Sequence, residues 1–518
     1  MIEFKSDKVL LGLAIIYTIV LLSTVNNPHH VDESTHSFVG LFLKDFFVDW
    51  IKNPTLSYQK IYDYATSYLA YYPKISLHYP PLPQIGFSIA YLLFGASIEV
   101  SRLVIILSAV MMLFVVYEFA YTIFKNRTVA LIAALLLMTS PIVINMSILS
   151  MQELPFLLFF TLTMRWLYSI KAKKPEIKYY VILSVLMAAT TLTKWQAITV
   201  FPVVIFYSLI FERKLFIYIA ISVLIAAVLL APYYLFLWKA DLLLLPLAAN
   251  LEADPLDPTW MQTEGWTYYL TTLVNHQFLL PIGLIVLFAA LAYFKNKEKD
   301  WKFFATWILV VYMIMVVLHN KDQRYTMNFL PAFVITASYI LYTIFKKHVK
   351  LLMLTVVVLS LIQSAITFNS LVYGFPDVIE IAQFVGEEKD GNVLINTGLG
   401  TASPFIFEIA KSGKFEHQVL RPCVIEFLEE SPDELIDKFD LKYIVLDKDK
   451  AGFTEKQSKF IDYVNGNENF ELINDFKRFS VIKTHKYQPE EKNEVCNYIC
   501  ATRETVCSKF KTPSDALK

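Results

Sequence analysis

Two adjacent carboxylates, Asp32 and Glu33, stand in the run His29-His30-Val31-Asp32-Glu33-Ser34-Thr35-His36, just after the first long apolar segment, Val9–Val25. Charge at a membrane boundary is costly unless water, a cation, a substrate or a moving proton uses it. A carboxylate in such a place can take the proton of an attacking hydroxyl as a general base. The plain alternative is that acidic residues cap the helix that follows a loop. Further along, single ionisable residues stand beside or within apolar stretches: Arg102, Glu153, Lys194 and Arg324. Isolated cations can neutralise a phosphate leaving group, arginine by two parallel hydrogen bonds. Each residue also has a structural reading. Arg102 can snorkel at a helix end, Glu153 can start the helix from Leu154, and Arg324 can pair with Asp322. Lys194 is the hardest to explain as packing. His29, His30 and His36 flank the carboxylates without a metal-ligating spacing, so no cofactor is assigned and a divalent metal is left open.

The elements that must hold these residues are membrane helices. The chain is 56% hydrophobic and 18% charged, with mean hydropathy +0.48, too little charge for a soluble protein. The net charge is zero, which gives no reason to expect a nucleic-acid partner. Val9–Val25 lacks a small-residue cleavage site and is followed by many apolar runs, so it reads as a retained helix. Further spans are expected near Leu103–Phe124, Val129–Ile148, Leu154–Ile170, Tyr179–Phe211, Leu215–Trp238, Phe278–Phe294, Phe303–Leu318, Tyr325–Phe345 and Leu351–Phe368.

Basic clusters orient them. Lys125/Arg127, Lys171/Lys173/Lys174/Lys178, Arg213/Lys214, Lys295/Lys297/Lys299/Lys302 and Lys346/Lys347/Lys350 share the cytoplasmic side only if Tyr179–Phe211 folds back at Lys194. Leu82–Phe94, which follows Pro80-Pro81, is too short for a comfortable crossing and reads as an interfacial helix. The result is about eleven spans, N-terminus cytoplasmic and C-terminus extracytoplasmic, in a multi-pass protein of the plasma membrane. In this topology Asp32-Glu33, Asn145–Glu153, Lys194, the Asp241–Asn275 loop and His319–Arg324 all face outward, and together they make a site.

The fold class expected is mainly α, a polytopic membrane helical bundle with a small C-terminal extracytoplasmic α/β domain. The membrane domain covers 1–372 and includes a large first outer loop, 26–79. That loop is rich in aromatics, among them Phe46, Trp50, Tyr58, Tyr62, Tyr64, Tyr68, Tyr71 and Tyr72. They suit a belt at headgroup level, and Ser34–Trp50 has helical spacing. Val393-Leu394-Ile395 and Tyr443-Ile444-Val445-Leu446 read as buried strands, and Pro404–Lys411 and Glu455–Val464 as helices, giving an α/β domain over 373–484. A polar tail, 485–518, follows. The tail holds Cys496, Cys500 and Cys507, compatible with a disulfide or with free thiols. Gly398-Leu399-Gly400 lacks the third glycine of a nucleotide fingerprint and is discounted.

Four segments in this order resemble the GT-C superfamily of polytopic glycosyltransferases, in the branch of protein O-mannosyltransferases and lipid A aminoarabinose transferases. They are His30-Val31-Asp32-Glu33; His78-Tyr79-Pro80-Pro81-Leu82 with Phe94-Gly95 and Arg102; Gln152-Glu153-Leu154-Pro155; and Leu192-Thr193-Lys194 with Asp322-Gln323-Arg324-Tyr325 and Leu330-Pro331. Two departures stand out: glutamate at 153 where many relatives carry aspartate, and Tyr79 inserted in the His-Pro-Pro segment. The resemblance implies a GT-C-like bundle that moves a hexose, mannose first among candidates, from a polyprenyl-phosphate donor to a protein, lipid or glycan acceptor. It implies Asp32 and Glu33 as catalytic carboxylates, and Glu153, Lys194, Arg324, Tyr325, Arg102 and His78 as substrate-binding residues. Membrane lipids would be its surroundings. Rival classes are a secondary transporter with Asp32-Glu33 as coupling site and a non-catalytic membrane scaffold.

Overall fold

The computed structural model describes residues 7–28, 30–73, 78–171, 174–240, 242–243, 257–371, 374, 377–388, 391–396, 402–413, 415–427, 430–449, 453–485, 495–499, 504–510 and 512–518. His29, Lys173, Cys500, Gly398-Leu399-Gly400 and much of the 241–275 loop lie outside them. The chain forms two compact units. One comprises 1–25, 77–83 and 102–372; the other comprises 26–76, 84–101 and 373–518. Residues 26–76 and 84–101 thus group with 373–518. The first outer loop groups with the C-terminal residues because its helices share a core with them.

The first unit is helical. Helix Leu280–Lys295 packs on Leu330–Phe345, Leu330–Phe345 on Arg127–Met138, and Phe216–Lys239 on Ile177–Thr191. Large apolar side chains also point outward: Ile16, Ile19, Leu224, Val228 and Phe288 are each at least 60% exposed. Such a surface is suited to lipid rather than water, and the protein is integral to a membrane. Among the described residues three helices are long and apolar enough to cross: Ile98–Phe124, Arg213–Lys239 and Leu330–Asn369. Two more candidates are bent pairs, Arg127–Met138 with Pro141–Ser147 at 65° and Thr263–Asn275 with Leu280–Lys295 at 116°. Other apolar helices are shorter, so these lengths do not establish the count of eleven. Tyr179–Phe211 resolves into Ile177–Thr191, a 3-10 turn Trp195–Thr199 and Val200–Phe211, with the break at Thr193-Lys194. A charged residue amid apolar ones marks the point where the helix stops.

The second unit is built on a five-stranded sheet of order β2-β1-β3-β5-β4, with β1 Asn392–Asn396, β2 Val419–Leu420, β3 Leu441–Asp447, β4 Phe470–Asp475 and β5 Phe479–Thr484. β1, β2 and β3 are parallel, with Leu394 opposite Leu420 and Ile444; β5 runs antiparallel to β3, pairing Ile482 with Ile444. Leu394, Leu420, Ile444, Leu446 and Ile482 form one apolar face. Leu435, Ile436 and Phe439 of helix Pro432–Phe439 and Phe460 and Val464 of Glu455–Asn465 cover it. The two strands and two helices expected from sequence are present within a degree of end-fraying.

Part of the outer-loop aromatics belongs to this unit's core, whereas Phe47 and Tyr62 are exposed. Tyr64, Tyr68 and Tyr72 of and beside helix Tyr58–Tyr71 are buried and contact Phe38 and Phe42 of helix Val31–Lys52. Their hydroxyls need partners when buried. Tyr68 donates to Asp45 Oδ2 at 2.9 Å and Tyr64 to Asp49 Oδ2 at 3.2 Å. Gly40 admits the helix Leu82–Phe94: a Cβ there would lie 2.7 Å from Phe87 Cβ. The described part of 485–518 is folded. β6 Val495–Ile499 and β7 Glu504–Ser508 form a hairpin joined by the disulfide Cys496–Cys507, and it packs on helix Tyr58–Tyr71.

Candidate active site

Glu153 begins helix Glu153–Ile170, where the partial positive charge of a helix N-terminus favours a carboxylate. It is only 2% exposed. A buried carboxylate needs cations or hydrogen bonds, and two distant cations supply them. Lys194 Nζ lies 2.7 Å from Glu153 Oε1, and Arg324 Nη1 lies 3.5 Å from the same oxygen.

Local structure fixes both cations. Lys194 has extended backbone between the helix ending at Thr191 and the 3-10 turn Trp195–Thr199. Arg324 opens the turn Gln323–Asn328, which Asp322 caps. The Asp322 carboxylate accepts from the Arg324 backbone N–H and from Nε, each at 2.8 Å. Tyr325 is buried, and its ring lies 5.5 Å from Lys194 Nζ. Burial, then the charge of Asp322, raises its phenol to about 12, so it stays protonated as a donor. Lys194, Arg324, Glu153 and Asp322 sum to no net charge. Both cations remain half-buried, able to meet an anion.

The segment from His78 to Leu82 is held by its backbone. Trp195 Nε1 and Tyr233 OH both donate to the His78 carbonyl at 2.8 Å, Gln152 Nε2 to Pro80 O at 3.1 Å, and Leu82 N–H to Leu192 O at 2.9 Å. Residues adjoining Glu153 and Lys194 thus fasten the His-Tyr-Pro-Pro run. The His78 ring packs on Tyr79 with centroids 4.5 Å apart, and burial lowers its pKa to about 4, leaving it neutral at pH 7. Arg102 is buried, and its Nη1 donates to Val25 O at 2.7 Å, beyond the end of helix Lys8–Leu22.

Asp32 and Glu33 occupy the first turn of helix Val31–Lys52 in the second unit. They divide their labour. Glu33 is fully buried and accepts the His30 backbone N–H at 2.7 Å, while His30 Nδ1 accepts the Asp32 N–H at 3.2 Å. This is a capping box with histidine in place of serine or threonine. Asp32 is exposed. The pair thus meets the capping alternative at Glu33, while Asp32 lies at the surface of the same turn. The Arg324–Asp322 pair is the structural reading that the sequence offered for Arg324, whereas sequence reasoning missed Gln152, Trp195 and Tyr233 as residues that place the others. Only adjacency to Glu153 and Lys194 signals the first two, and nothing signals Tyr233. Among the described residues no three histidine, cysteine or acidic side chains gather as a metal site.

The fold is shared with solved structures of ArnT and AglB. ArnT from Cupriavidus metallidurans in the apo state superposes with a TM-score of 0.68 at 12% identity, over 93% of this chain and 99% of that one. The same enzyme bound to undecaprenyl phosphate gives 0.66. The archaeal oligosaccharyltransferase AglB from Archaeoglobus fulgidus, in complex with an inhibitory peptide and a dolichol-phosphate, gives 0.57 at 12% identity, over 93% of this chain and 75% of that one. In sequence, residues 78–238 match the family model of dolichyl-phosphate-mannose-protein mannosyltransferase. No curated protein matches the chain in sequence.

Proposed function

We propose that the protein is a glycosyltransferase that moves a sugar from a polyprenyl-phosphate carrier to a hydroxyl-bearing protein, lipid or glycan acceptor on the extracytoplasmic side. The observation that carries this reading is the convergence of Lys194 and Arg324 on one oxygen of the buried Glu153. A sugar phosphodiester bears one negative charge and its leaving polyprenyl phosphate bears two. Preset cations therefore stabilise the product-like transition state more than the ground state. Arg324 and Lys194 take the phosphate oxygens, Tyr325 donates a hydrogen bond, and Glu153 holds both cations in place before the donor arrives.

The acceptor oxygen forms its bond to the anomeric carbon as the bond from that carbon to the phosphate oxygen breaks. The acceptor proton passes to Asp32, and configuration inverts. Glu33 supports Asp32 by fixing the turn that presents it. His78 and Arg102 complete the assignment, His78 as a neutral wall of the donor side and Arg102 through the segment after helix Lys8–Leu22 that it fastens. A hexose donor, and mannose first, is favoured by the family match over 78–238. The Cys496–Cys507 disulfide favours an oxidising, extracytoplasmic setting for the second unit, as do the basic clusters between the apolar helices.

The test is transfer of labelled sugar by the purified full chain from a panel of synthetic polyprenyl-phosphate sugars, mannose included, with Asp32→Asn alongside. Transfer by wild type that the variant loses supports both the class and the base. A wild type that binds no polyprenyl phosphate overturns the reading.

A further inference from the structure

Lys321 belongs to none of the roles above, yet it is among the most enclosed ammonium groups of the first unit, at 6% exposure. Helix Trp301–Val317 ends four residues before it, and the last carbonyls of a helix have no partners within the helix. Lys321 Nζ supplies them, donating to Met315 O at 3.1 Å, to Val316 O at 2.6 Å and to Leu318 O. Three N–H bonds meet three carbonyls, the full capacity of an ammonium.

Its own backbone is held too. The Lys321 N–H donates to Asp257 Oδ2 at 2.9 Å, and its carbonyl accepts from Tyr268 OH at 3.4 Å. The next residue is Asp322, whose carboxylate holds Arg324. A continuous line of contacts therefore runs from the end of a helix through Lys321 and Asp322 to Arg324, and from there to Glu153.

We propose that Lys321 is a positioning residue that locks the turn carrying Arg324 to the end of helix Trp301–Val317 and so presets the grip on the donor phosphate. This deepens the proposed function and rests on it. A lysine that merely capped a helix would contribute to stability alone. Here the capping group sits one residue from the aspartate that orients the phosphate-binding arginine, so loss of the cap is felt at the arginine.

The charged and titratable groups around the ammonium are Asp257, Asp322 and His319, with Tyr268 and Tyr269 from helix Thr263–Asn275 and Tyr312 of Trp301–Val317 behind Tyr269. Burial outweighs the attraction of Asp257 and lowers the Lys321 pKa to about 8. Above that pH the amine has two N–H groups for three carbonyls. The unfolded chain then holds the extra proton up to the ordinary lysine value, so between these values stability does not fall with pH through this group. Weaker donor binding without weaker folding is therefore the mark of positioning.

The experiment measures undecaprenyl phosphate binding and thermal unfolding of the purified full chain, wild type against Lys321→Met and Lys321→Arg, from pH 6.5 to 9.5. Expected is an affinity about tenfold lower for Lys321→Met. Lys321→Arg, charged throughout, should recover most of it and lose the decline that wild type shows above about pH 8. If Lys321→Met does not fold, the pH profiles of wild type and Lys321→Arg decide alone. Wild-type binding that Lys321→Met leaves unchanged while the unfolding temperature drops overturns this inference and spares the function. A wild type that binds no undecaprenyl phosphate overturns the function and this inference with it.

Discussion

Glu33 and Glu153 are both buried glutamates in the first turn of a helix, but their partners differ. Glu33 bonds to His30, three residues away, and closes its own helix cap. Glu153 is met by Lys194 and Arg324, which come from the far sides of other helices in the sequence. A local partner gains its value from fixing the helix start, and would be chosen for folding alone. Distant charged partners in a buried place bring desolvation penalties that simple packing would avoid. The same residue type in the same helical position thus serves structure in one unit and a candidate substrate site in the other.

The largest expected effect separates Asp32 from its neighbour. Asp32→Asn should lower transfer by about a hundredfold to ten-thousandfold, the usual worth of a general base, with unchanged thermal unfolding. Full turnover by Asp32→Asn together with loss in Glu33→Gln would reverse the two assignments. Next, Arg324→Ala and Lys194→Ala should each cost about a hundredfold or more in kcat/KM. Pairing Lys194→Met with Glu153→Gln should restore stability but not transfer; recovered transfer would show the group to be packing only.

A smaller effect is expected for Glu33→Ala, about 1 kcal/mol of stability from the lost cap, read by denaturant unfolding, with turnover within a few fold of wild type. The smallest concerns His78. Burial lowers its pKa to about 4, so between about 6.5 and about 4 the unfolded chain binds the proton and the folded one does not. Stability therefore falls as pH drops through that window, and His78→Gln should flatten part of the fall in unfolding temperature. Parallel curves for the two proteins would place the histidine in a more open setting.

These contrasts mark what the sequence could carry. Lys194 is legible because a lysine inside thirty-odd apolar residues must either end a helix or serve a partner, and it does both. β1 and β3 are legible because both faces of a central strand are apolar. β4 is not, since its burial is patchy and it lies at the sheet edge. Tyr64, Tyr68 and Tyr72 mislead for a physical reason. A tyrosine-rich amphipathic helix has the same pattern whether it meets headgroups or a protein core. The difference is set by Phe38, Phe42, Asp45 and Asp49 on another helix. The grip of Lys321 on three carbonyls left no trace in spacing, because carbonyls belong to every residue.

The covering of helix Tyr58–Tyr71 also has a consequence in time. Lys60 Nζ bonds to the carbonyls of Leu517 and Lys518, Ser67 Oγ meets Ser508 at 2.7 Å, and Gln418 and Asn497 both donate to the Ala70 carbonyl at 3.0 Å. Residues near position 60 therefore wait through the synthesis of several hundred others before their partners exist. Contacts of such separation form late and leave apolar surface bare meanwhile. Biogenesis of this protein thus includes an interval in which an aromatic-rich segment stands unfinished. A holding factor or the membrane surface would have to shelter it until the last hairpin is made and oxidised.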